Sequence, residues 1–249
     1  MRALDATRVW AVVHKELRDY RRRRSIVVTM LVLPCLFLIN PVLTVFFTPA
    51  STASSTLDKT ISISLIFFLI IPVIMPSALA AYSVVGEREQ GTLEPVLTTP
   101  IRREELIAGK AAAIMLPTVA LSYAIFGLFL VVTQLFANPI VASALFHQGP
   151  ILLALLLFTP LLAGWAIVVG MGISVRASEI RVAQQLGMLA SVPLIGLFLL
   201  LAVGVIRPTF LVAIVFAVAL LLIDVRAARL VARMFDRERL VTGAKAARP

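Results

Sequence analysis

Long apolar runs separated by short polar breaks set the pattern of this chain. No Asp, Glu, Lys or Arg occurs from Ser25 to Leu57, Thr60 to Gly86, Ala111 to Val175, Val182 to Ile206 or Pro208 to Ile223. A helix needs roughly 20 apolar residues to cross the hydrocarbon layer of a bilayer. The first two runs hold one crossing each. The third holds two, broken at the turn-rich stretch from Asn138-Pro139 to Gln148-Gly149-Pro150. Arg207-Pro208 divides the last two runs. The pattern predicts six spans, at 26–47, 61–85, 111–136, 151–175, 183–206 and 208–225. The fifth and sixth also fit a partly re-entrant hairpin, which returns the tail to the same side.

A different pattern precedes the first span. Trp10, Val13, Leu17 and Tyr20 recur at helical spacing, with Arg8, Lys15, Arg18 and Arg22 opposite. Residues 1–24 are expected to form an amphipathic helix lying in the membrane interface. Trp10 and the run Arg21, Arg22, Arg23 and Arg24 would anchor it and stop the first span from sliding. The first apolar run is too long, and too far into the chain, for the core of a cleaved leader. The last span is expected to run on as a helix carrying Arg226, Arg229, Arg233 and Arg237 on one stripe toward anionic headgroups.

Composition agrees. Of 249 residues, 60% are hydrophobic and 14% charged, against about 25% charged in a soluble domain. The net charge of +10 flanks the apolar runs; it forms no patch on a polar domain, so membrane lipid is the expected partner and nucleic acid is not. Twenty-one of the 23 Lys and Arg fall on one side of the predicted topology, against Lys59 and Arg207 on the other. The positive-inside rule then places both termini in the cytoplasm of a bacterial or archaeal cell membrane. The single cysteine, Cys35, excludes an intrachain disulfide. The expected fold is therefore all-α: a polytopic membrane protein of six transmembrane helices with an N-terminal interface helix. It is one membrane domain over 1–249, with a cytosolic loop at 86–110 and a cytosolic tail at 226–249.

Catalytic chemistry is not legible. A phosphate-cradling loop needs G-x-x-x-x-G-K-[ST]. Gly109-Lys110 is followed by Ala111 and has Glu104 where the first glycine belongs. His14 and His147 fall on opposite faces of the membrane, so neither a metal site nor a triad is expected. All 13 acidic residues read as lying outside the spans or at their ends, with Asp224 at the inner end of the last one beside Arg226. An ion-coupled carrier needs titratable groups at mid-membrane, so energy is expected to enter from elsewhere.

The informative break is GEREQGTLEPVLTTPIRREELIAGK, residues 86–110. Gly86 reads as a helix stop, and Glu87, Arg88 and Glu89 alternate in charge. After Gly91, Thr92 can cap a short helix with Pro95 in its first turn. Leu93, Val96 and Leu97 share a face that suits either a groove on another protein or the lipid surface.

That string resembles the loop between the second and third spans of the ATP-binding-cassette type-2 permease family. The acidic-basic-acidic start, Gly-Thr-Leu-Glu, the apolar pair, the proline turn and the closing Gly-Lys all occur in order. Lys15-Glu16-Leu17-Arg18-Asp19 ahead of the first span, and Pro34 within it, are a second, weaker match. The resemblance implies the permease subunit of an ABC exporter. Two permease chains, as homo- or heterodimer, would pair above two copies of a separate ATPase, which holds the ATP and Mg; no cofactor is expected in this chain, and it is not itself an enzyme. Glu87, Arg88, Glu89, Gly91, Thr92, Leu93, Glu94, Val96 and Leu97 would couple to that ATPase. The family analogy makes Asn40, Gln184 and Gln185 the polar candidates for the pathway. The short outer loops favour a small or membrane-soluble substrate. The alternatives are an ion-coupled secondary carrier and a non-transport assembly factor.

Overall fold

The structure is a computed structural model, and it describes residues 5–49, 52, 54–91, 101–202 and 210–234. Within them every regular element is helical. In chain order these are α1 (Ala6–Arg22), α2 (Arg24–Phe47), α3 (Ser54–Ile66), a 3-10 turn (Phe67–Ile70), α4 (Ile71–Glu89), α5 (Arg103–Phe136), α6 (Pro139–Phe146), α7 (Gly149–Arg176), α8 (Ile180–Ala202) and α9 (Phe210–Met234).

Five helical segments are long and apolar enough to cross a membrane: Ile26–Phe47, Ser54–Glu89, Arg103–Phe136, Gly149–Arg176 and Ile180–Phe198. They match the first five expected spans. The helices run past the expected ends because each apolar run is extended by polar residues that remain hydrogen-bonded in the helix. The second crossing starts at Ser54, seven residues early, and is kinked by the 3-10 turn, with Pro72 in the first turn of α4. The stretch read as turn-rich contains α6, capped where Asn138 Oδ1 accepts from Ile140 N–H at 3.0 Å. α9 covers the region of the sixth expected span and continues as a helix to Met234.

α3 and α4 make the hub, and 78% of their crossing is buried within the chain, against 12% for α2 and 17% for α8. Lipid tails are as apolar as leucine, so helices in a bilayer gain little from hydrophobicity alone and associate through close packing. Glycine supplies it here. A Cβ built on Gly170 of α7 would stand 2.7 Å from Ala80 Cβ of α4. Ser174, one turn on, donates to the Ala81 carbonyl at 2.5 Å and accepts from Val84 and Val85 N–H at 3.1 Å. The rim helices expose Val28, Leu31, Leu36 and Leu43 on α2, and Leu186, Leu189 and Val192 on α8. An exposed apolar belt of that extent needs lipid or a partner to cover it.

Candidate functional site at the basic end of the bundle

The ends of α1, α4, α5, α7, α8 and α9 that carry most of the arginines lie together. α1 reaches them because a glycine in the second turn of α5 admits it. A Cβ on Gly109 would stand 2.6 Å from Val12 Cβ and 3.1 Å from the Val9 carbonyl oxygen. The buried face of α1 is Val12, Val13, Glu16 and Tyr20, turned slightly from the stripe expected. Trp10 is 54% exposed and stacks edge-on against His14.

Lys15 does not point away with the other basic residues. Its Nζ donates to Glu87 Oε1 at 2.8 Å and Glu16 Oε1 at 3.1 Å. Lys110, 1% exposed, reaches the same two carboxylates: Nζ lies 2.9 Å from Glu16 Oε1, 2.8 Å from Glu87 Oε1 and 3.1 Å from the Ser83 carbonyl oxygen. Two lysines and two glutamates from α1, α4 and α5 thus form one ion-paired cluster, buried at Lys110, Glu16 and Glu87 and extended outward by Asp19, 3.6 Å from Lys15. Such charges are tolerated away from water only when paired and hydrogen-bonded. Burial works against the Glu16 carboxylate, but Lys110 and Lys15 outweigh it and hold the group below its ordinary value. Burial likewise opposes charge on Lys15, and Glu16 and Glu87 overcome it, raising that ammonium. The Tyr20 phenol is pushed up by burial first and by Glu16, Glu87 and Asp19 next. A cavity of about 230 Å³ opens beside the cluster, lined by Lys15, Asp19, Tyr20, Arg23, Tyr82 and Gln90 among others.

The acidic-basic-acidic triplet has one partner set per residue. Gly86 does not stop the helix: α4 continues to Glu89, and Gly86 is the space into which the Tyr82 ring packs, 2.6 Å from where a Cβ would be. Glu87 takes the two lysines. Arg88 donates to the Ala177 carbonyl at 3.1 Å and the Val175 carbonyl at 3.2 Å, where the C-terminus of α7 leaves acceptors free. Glu89 Oε1 accepts from Ile180 N–H at 3.1 Å, capping the start of α8. The last turn of α4 therefore holds α1, α5, α7 and α8 at once. Gly91 follows with φ of 67°, a left-handed conformation suited to glycine, and turns the chain out of the helix. Thr92, Leu93, Glu94, Val96 and Leu97 lie outside the described residues.

Of the expected anchor, Arg21, Arg22 and Arg24 are exposed. Arg23 instead turns inward: its guanidinium lies over the Tyr82 ring, 5.4 Å from the centroid, and hydrogen-bonds Tyr82 Oη and Gln90 Oε1. A second lock joins α1 to α5, where Glu105 accepts from Asp5 N–H at 3.3 Å and Arg102 N–H at 3.0 Å and pairs with Arg8 at 3.6 Å. Asn40 and the pair Gln184 and Gln185 are not brought together within one chain. Asn40 is 16 residues along α2, whereas the glutamines lie in the first two turns of α8. Among the described residues no group of three His, Cys, Asp or Glu comes together in a way that could hold a metal ion.

Glu16, Glu105, Lys110 and Ser174 were not singled out as site residues. The signal available for them was slight, since a charge ending an apolar run reads as a solvated boundary. The pattern does not show that Asp224 is buried. It is buried against Gly164, in the middle of α7. Depth along a helix is set by its neighbour's register, which hydropathy does not encode.

Helices longer than a bilayer is thick, an apolar belt around their middle and a clamped basic end define a multi-pass membrane protein. A comparison with family profiles makes the assignment more specific: that of the ABC-2 family transporter proteins matches residues 10–218. The chain belongs to that family, and membership implies partnership with an ABC ATPase in general. No curated protein matches it significantly.

Proposed function

We propose that this chain is the pathway-forming permease subunit of an ABC exporter and works through two copies of a separate ATPase and a second permease chain. α9 is then the sixth span, α1 the interface helix, and both termini are cytoplasmic. The segment around Leu93 to Leu97 is the coupling helix. The observation that carries the reading is the last turn of α4. A push delivered to the loop after Gly91 acts first on Glu87, Arg88 and Glu89, and these bond to α1, α5, α7 and α8. The loop is thus geared to four helices, as an ATP-driven tilt of the spans requires. Asp224 removes one argument against an ion-coupled carrier, since an acid does lie inside the bundle, but family membership favours ATP as the energy source.

The experiment is co-expression with an ABC ATPase encoded beside it. The two are expected to co-purify, and ATP hydrolysis to depend on the permease. Leu93→Asp with Leu97→Asp should abolish co-purification and leave membrane insertion intact. A complex unchanged by that double substitution would refute the coupling assignment.

A further inference from the structure

Asp224 is 9% exposed, and its Oδ1 has no hydrogen-bond partner among the described residues. Its Oδ2 lies 3.0 Å from where Gly164 would carry a Cβ, and the Met115 methyl of α5 lies 3.7 Å from the same point. Gly164 is twelve residues before Arg176, the end of α7, or about 18 Å along the helix. The carboxyl group is therefore deep in the bundle, well inside the charged end.

No described cation meets it there. On α7 the basic residue is Arg176, at the far end. On α5, Lys110 is bound to Glu16 and Glu87. On α9, Arg226 and Arg229 are exposed and lie about 200° and 140° around the helix from Asp224. On α8, Arg181 is exposed in the first turn, and on α4 Arg88 is bonded to the end of α7. An ionised carboxylate without a counter-charge is strongly disfavoured in such a setting.

Two features frame the group. Phe216, two turns away on α9, packs on Phe158 at 5.5 Å, and Phe158 packs on Phe198 at 6.4 Å, closing that side of the seam. On the other side a groove of about 510 Å³ between α7, α8 and α9 runs from Arg176 and Met234 to Val168 and Ala227. It ends about one turn short of Gly164 and Asp224. A hard cation needs several oxygen ligands, and among the described residues no group of three His, Cys, Asp or Glu comes together that could hold one. The ligand that fits is a proton.

We propose that Asp224 is a proton-binding site within the bundle, protonated in this packed arrangement and exchanging with the aqueous phase through the groove. On deprotonation the O–H bond at the carboxyl breaks, the proton leaves to water in the groove, and the charged carboxylate drives α9 away from Gly164. The state of this one acid then sets how tightly the α7–α9 seam closes. The proposal rests on the reading of α9 as a membrane-embedded helix.

The test uses the full chain in lipid nanodiscs and infrared spectra across a pH titration from about 5 to about 9, the range that buried carboxyls reach. The wild type is expected to show a protonated-acid carbonyl band that is lost as pH rises, and Asp224→Asn to lack that band. Asp224→Glu should retain an acid band at a shifted frequency, so a poorly folding Asn variant does not leave the matter open. In a Cys35→Ala background, a cysteine at Val231, buried opposite Gly172, should react with a thiol reagent increasingly with pH, and that rise should vanish with Asp224→Asn. Spectra that match in wild type, Asn and Glu forms, or labelling that rises equally in both backgrounds, would overturn the proposal. Cysteines at Phe210 and Arg229 probed with an impermeant reagent report separately whether α9 crosses. A failure of the topology is thereby distinguished from a failure of the proton site.

Discussion

Replacing Lys110 with methionine removes one of the two ammonium groups that meet the buried carboxylates of Glu16 and Glu87. Methionine fills most of the lysine stem, so the volume of the buried side chain is largely kept and the electrostatic loss is isolated. Lys110 is 1% exposed, and Glu16 and Glu87 are 6% and 8% exposed. What remains is two buried carboxylates that have lost their buried ammonium partner and keep Lys15, whose side chain is 45% exposed. Removing one partner of a buried pair costs about 3–5 kcal/mol, because the charge left behind is uncompensated. At about 2–4 °C per kcal/mol for a chain of this size, the melting temperature should fall by roughly 6–20 °C. The assay is thermal unfolding of the purified protein, followed by size-exclusion fluorescence. Glu87→Gln combined with Lys110→Met removes one charge of each sign and should recover at least half of the loss. A single variant melting within about 2 °C of wild type, or a double variant worse than the sum of the singles, would refute the view that this cluster is a coupled, buried unit.

Two further outcomes follow from the same geometry. Gly170→Val should destabilise the α4–α7 seam by about 1–3 kcal/mol, because even a Cβ would stand 2.7 Å from Ala80 Cβ. Gly127→Val, where nothing lies within 4 Å, should leave the melting temperature unchanged. The pH profile has a defined sign. The Glu16 carboxyl is held below its ordinary 4.5, so its contribution is present above that value and lost as pH falls through the depressed one. Lys15 is raised above its ordinary 10.5, so its contribution is complete below 10.5 and lost only above. A broad plateau between those limits is expected from this cluster, and Lys15→Met with Glu16→Gln should flatten both shoulders.

How much of this was legible in the sequence depends on the range of the physics involved. Whether a stretch can sit in lipid is a property of some 20 consecutive residues. Hydropathy therefore located the first five spans and the helix before them, and the loop motif led to the family. The α6 helix was missed because Asn138-Pro139 reads as a turn, yet it is also a cap followed by proline in the first turn.

Side-chain partnership was not legible. Glu16 and Lys110 are 94 positions apart, Lys15 and Glu87 are 72 apart, and Asp5 and Glu105 are 100 apart. Each reads alone as a solvated charge at the end of an apolar run. The triplet Glu87, Arg88 and Glu89 was recognised as important, but its bonds to four other helices exist only once those helices have packed. Asp224 makes the same point about depth. By itself the chain determined that α9 carries an acid near arginines, because composition is local. Only the packing of α9 on Gly164 decided that this acid is buried, because the depth of a side chain in a bundle depends on the register between two helices sixty residues apart.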